Sequence, residues 1–135
     1  MSETEHLKHL EMIQAVVTRM AQNAFVVKGW AITLVAGILA LAADDHDLNA
    51  ALLAAGPAVL FALIDAHYLA QERRYRRHYD DVRTGQPGVA RLTMDATRHA
   101  GAETVAAALA SWSVWPLYAA LLAMILGVAA RALAA

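Results

Sequence analysis

Three long apolar runs dominate the pattern of hydrophobic and polar positions along the chain. The first covers about Val26 to Ala43 and ends at the acidic turn Asp44-Asp45-His46-Asp47. The second covers about Leu48 to Ala70 and the third about Thr104 to Ala130. A helix rises about 1.5 Å per residue, so roughly 20 residues cross a hydrocarbon layer of about 30 Å. All three runs meet that length, and the third, which contains Pro116, predicts a tilted or kinked helix.

The polar stretches between these runs also carry helical periodicity. Upstream of the first run, Ile13, Val16, Val17, Met20, Ala24 and Val27 recur at three- and four-residue steps. That spacing, with Ser2 or Thr4 as N-cap and Glu5 in the first turn, predicts a helix that continues unbroken into the first span. The second run likewise continues past Ala70 until the stop signal Thr84-Gly85-Gln86-Pro87-Gly88. A short amphipathic helix carrying Val89, Leu92 and Ala96 on one side is expected before the third span. The fold class that follows is all-α: an integral membrane protein of three transmembrane helices, the first two extended as a cytoplasmic helical stalk. One membrane domain, 1–135, accounts for the whole chain, with residues 71–103 as its cytoplasmic loop.

Composition sharpens this reading. The 135 residues are 59% hydrophobic and 17% charged, against about 45–50% and about 25% in ordinary soluble domains. The net charge of −1 argues against a nucleic-acid partner, and the absence of cysteine removes disulfides and thiol chemistry. The polar N-terminal stretch MSETEHLKHLEM is unlike a secretory signal, so the apolar runs are expected to be mature structure. Orientation follows from the short loops. The first connection holds no Lys or Arg, whereas the second holds Arg73, Arg74, Arg76, Arg77, Arg83, Arg91 and Arg98. A bacterial inner-membrane location with the N-terminus cytoplasmic and the C-terminus periplasmic or extracellular is expected.

Residues Phe61, Asp65, Tyr68, Glu72, Tyr75, Tyr79 and Val82 alternate four and three apart and so share one helical seam. If the first turn is centred between residues 46 and 47, antiparallel partners at one depth have numbers summing to about 93. Lys28 then lies level with Asp65, and Arg19 lies between Glu72 and Tyr75. A lone carboxylate in a bilayer costs several kcal/mol and normally finds a partner. The expectation is a polar ladder, or ion pathway, of Lys28 with Asp65 and Arg19 with Glu72, with Asn23 and Tyr68 between them. The bland alternative is a pair that only fixes helix register.

Arg73, Arg74, Arg76 and Arg77 crowd just beyond the second span, where anionic lipid headgroups or a cytoplasmic protein partner would meet them. His6 and His9 make only a weak metal pair and read better as a solvated helix end, His67 suits helix packing or an interface, and Ser111, Ser113 and Pro116 form the polar patch of the third span. Trp30, Trp112, Trp115 and Tyr118 suit interfacial or packing positions. No motif of ordinary enzymology, cofactor binding or metal binding stands out.

The blocks R-M-x-x-N-x-x-x-x-K-G-W and D-A-x-Y-L-x-Q-E-R resemble a group of small, uncharacterised bacterial inner-membrane proteins. They fall on Arg19, Met20, Asn23, Lys28, Gly29, Trp30, Asp65, Tyr68, Gln71, Glu72 and Arg73. The spacing Arg73-x-x-x-x-His78 resembles the motif of HEPN-type ribonucleases, although Arg74 stands where a polar neutral residue is usual. A more distant likeness is to membrane-pore proteins that accompany RNA-targeting CRISPR effectors. Small size, buried charge and the lack of a catalytic motif lead to three expected functions, in descending order. The first is a homo-oligomeric pore or channel-like subunit serving ion transport, as an effector of bacterial stress or antiviral defence. The second is a non-conducting scaffold docking a partner through the stalk, and the third a membrane-tethered nuclease.

Overall fold

The computed structural model describes residues 2–135, and among them there are helices, turns and no strand. Helix α1 runs unbroken over Glu3–Asp45, 43 residues or about 64 Å, roughly twice a hydrocarbon layer. Ser2 starts it, its Oγ accepting from the amide of Glu5 at 3.2 Å. His46 stops it in the left-handed conformation with φ 51°. Asp47 then caps the next helix through the amide of Ala50, so the hairpin turn takes two residues.

The return limb comes in two pieces, α2 (Leu48–Leu53) and α3 (Ala55–Thr84), rather than the single helix the hydropathy suggested. The reason is Pro57, which has no amide hydrogen for the Leu53 carbonyl and whose ring crowds it. The axis resumes directly, because Ala58 bonds to Ala54 across the break. Gly85, at φ 70°, ends α3 where the Thr84-Gly85 stop signal placed it.

Two further expectations are corrected. Residues 89–96 form no helix: Gly88 and Leu92 sit at φ 86° and 53°, and only a 3-10 turn follows at Thr97–His99. The third span is also not one helix over 104–130. It divides into α4 (Val105–Leu109) and a membrane-length α5 (Trp115–Ala134), with Ser111 to Val114 as the turn between them. Pro116 is again the cause. It cannot donate to residue 112, but it fits the first turn of a new helix, where no donor is needed.

Helix α1 with α3 forms the main contact of the molecule, and α5 packs across both near the hairpin turn. The buried residues of α1 are His9, Ile13, Val17, Ala24, Ala31, Val35, Leu39 and Ala42, largely the stripe read from the sequence and its continuation. From the cap residue into α5, Val114, Tyr118, Leu121 and Ile125 are buried at alternating steps of four and three. Facing them are Ala58, Ala66 and Ala70, each at most 1% exposed. Their small methyls let the helices approach closely. Three helices, α1, α2 with α3, and α5, are thus long and apolar enough to cross a membrane.

The candidate site where three helices meet

Asp65 is completely buried, and among the described residues only Lys28 forms an ion pair with it. The ammonium of Lys28 lies 2.7 Å from each carboxylate oxygen, with hydrogen-bond geometry only toward Oδ1. The hairpin explains the match. The tight turn at His46-Asp47 sets the register, and the Pro57 break does not shift it. The pair closes one end of a crevice of about 230 Å³ whose lining includes Phe25, Leu69, Glu72 and Ser113. From α5, the buried hydroxyl of Tyr118 comes within electrostatic reach of Asp65 and has no hydrogen-bond partner. Beyond this point the interior is apolar, built from Ala31, Val35, Leu39, Leu121 and Ile125.

The rest of the expected ladder does not assemble. Arg19 is exposed on α1, and among the described residues no acid pairs with it. Glu72 instead takes Arg76, one turn ahead on its own helix, with 2.8 and 3.1 Å contacts from two guanidinium nitrogens. The local pair needs no second helix to be positioned, so it wins. Asn23 and Tyr68 are half-buried, but no side-chain hydrogen bond joins either to Lys28 or Asp65 among the described residues. The ring of Tyr68 packs edge-on against His67 instead.

The arginine run divides by direction. Arg74 donates to the backbone carbonyl of Glu103 at 2.8 Å, and Arg77 meets the Glu103 carboxylate at 2.7 Å. Arg76 and Arg77 remain mostly exposed, at 61% and 52% of their side chains, and Arg73 is half-buried. The other half of the Arg73–His78 spacing is unavailable to a substrate. His78 is 1% exposed, and its Nε2 donates to the Thr93 carbonyl at 2.8 Å. His9 is equally buried and donates to the same oxygen at 2.5 Å. Sequence reasoning put His9 at a solvated helix end, since nothing in the chain's local pattern announces a partner 84 residues away.

His9 and His78 anchor a strap. Residues 85–104 fold back along the exposed limbs of α1 and α3 and are tied at several points. Arg91 pairs with Glu5, and His99 and Arg98 reach Asp81 at 2.6 and 3.5 Å. Within the strap, Asp95 accepts from the amide and the hydroxyl of Thr97, and these donors hold its carboxyl below the usual range. Ser111 and Ser113 bond to each other and to the turn backbone. No group of three or more ligating side chains forms a metal site among the described residues.

The three tryptophans lie within two residues of side chains that line the crevice. Trp30 lies two residues beyond Lys28 on α1, while Trp112 and Trp115 flank Ser113, which lines the crevice. All three are substantially exposed, at 58%, 78% and 47%, and Trp112 packs edge-on against Trp115.

The chain matches no family model, no curated protein and no solved structure.

Proposed function

We propose that the chain is a non-conducting membrane anchor in the bacterial inner membrane, whose stalk holds a docking surface on the cytoplasmic side. The observation that carries this reading is that Asp65 is sealed inside a single chain and already neutralised by Lys28. The outward faces of the spans bear Trp30, Ile32, Leu34, Leu41, Met124 and Leu126, so an oligomer assembled through them offers no polar lumen. Orientation rests on the arginines of residues 71–103 and on the tryptophan girdle, which suits the interface at that end. Arg76 and Arg77, about 17 Å further along α3 than Asp65, would then stand on the stalk beyond the headgroups, where a cytoplasmic partner could meet them. Small outward residues such as Gly29 and Gly37, with open space above them, suit self-association within the membrane.

The pore reading keeps one observation in its favour, the crevice that reaches the partly exposed Lys28 beside the buried Asp65. Its apolar continuation across the bundle argues against a route through one chain. The nuclease reading is weakest, because His78 is buried and bonded away from solvent.

Ion flux from liposomes containing the purified protein, wild type beside Asp65→Asn, separates these readings. The anchor reading expects no flux from either protein, with the variant only less stable. Flux that is present in the wild type and altered by the variant would return Asp65 to a conduction path.

A further inference from the structure

We propose that His9, His78 and the Thr93 carbonyl form an acid-released latch that holds the strap of residues 85–104 against the stalk. A carbonyl oxygen only accepts, so both imidazoles must present Nε2–H to it, and together they fill its two lone-pair positions. Each ring then has only Nδ1 left to take a proton. Both Nδ1 atoms are buried without a hydrogen-bond partner. The rings meet edge-on with centroids 5.6 Å apart, so protonating both would also place two like charges side by side.

No side chain around the pair accepts from either Nδ1, though the Asp95 carboxylate comes within electrostatic reach of His78. From α1 come His6, whose ring lines the neighbouring hollow, and Glu5, which is held by Arg91. From α3 comes Asp81, engaged by His99 and Arg98. The strap contributes Asp95, engaged by Thr97, together with Arg98 and His99 themselves. Imidazole charges in the pH 5–8 interval, and a buried cation with no acceptor is relieved when the ring reaches water. The strap must lift for that to happen. Leu92, the residue before the shared carbonyl, sits at φ 53°, a strained conformation for a leucine that release would relax. Opening uncovers Ile13 and Val82, the apolar residues next to the two histidines.

The chain has no cysteine, so spin labels at Glu11→Cys and Ala90→Cys report the strap distance in proteoliposomes by pulsed electron resonance. A single short distance is expected at pH 7.5 and a second, longer one at pH 5.0. The open-to-closed ratio should rise about tenfold to a hundredfold per pH unit, for one or two protons taken up. His9→Gln and His78→Gln each keep a donor without a titrating ring, and each should flatten that response. Asp81→Asn should leave it in place. Nitrogen resonances of the two histidines in the unmutated chain provide a check that needs no variant. They should report neutral Nε2–H rings at pH 7.5 and titrate together with the opening. A strap that stays closed at pH 5.0 would overturn the latch. So would opening unchanged in both glutamine variants, or an Nδ1–H tautomer at pH 7.5.

Discussion

Replacing Lys28 with methionine removes the cation from a carboxylate that cannot reach water. At 2.7 Å, and with an effective dielectric of about 20, the attraction lost is roughly 6 kcal/mol before the cost of burying Asp65 is subtracted. Breaking a buried pair from one side typically costs about 3–5 kcal/mol. An upper bound comes from chemistry, because the orphaned acid can take a proton instead. Neutralising an ordinary carboxylic acid at pH 7 costs about 4 kcal/mol, at 1.36 kcal/mol per pH unit. The expected loss for Lys28→Met is therefore about 3–4 kcal/mol. Asp65→Asn should cost less, about 1–2 kcal/mol, because Lys28 is 26% exposed and its ammonium can swing toward water. The double variant Lys28→Met/Asp65→Leu should recover most of the loss, since an apolar pair leaves no buried charge behind. Reversible unfolding of the purified protein in mixed micelles, read by circular dichroism across the cycle, measures all three. A Lys28→Met loss no larger than that of Asp65→Asn would refute the reasoning, as would single losses that simply add in the double variant.

Two further outcomes test other parts of the structure. Ala66 has no exposed surface where α3 faces α5, so Ala66→Leu should destabilise by about 1–3 kcal/mol through overpacking, whereas Leu63→Ala, at a 47% exposed site, should be close to neutral in the same unfolding assay. In the strap, Thr97→Val removes the hydroxyl donor to Asp95 and should raise that carboxyl toward its ordinary value in a carbon-detected NMR titration. A carboxyl depressed in the folded protein adds stability above its unfolded value and loses it as pH falls through the folded one, so Thr97→Val should also weaken the acid-side dependence of folding stability.

The hairpin was legible from the chain because its determinants are local. A stripe at three- and four-residue steps needs a helix, two spans joined by a two-residue turn must run antiparallel, and their register follows by counting. That counting brings Lys28 level with Asp65, and the 2.7 Å contact lies where it points. The stop at Gly85 and the cap at Ser2 were equally local. Counting failed where two partners competed for one group. Glu72 could reach across to Arg19 or along its own helix to Arg76, and depth alone does not rank a cross-helix pair against one that is always within reach. Hydropathy concealed the break at Pro57, and at Pro116, where a tilt or kink is expected, it hid a full division into two helices, because a sum over apolar side chains does not register a missing amide donor. Only the tertiary structure decided how α5 lies over the alanines of α3 and where residues 85–104 go. The strap is held by contacts such as His9 with the Thr93 carbonyl, and a backbone carbonyl looks the same at every position of a sequence until the fold brings two imidazoles to one of them.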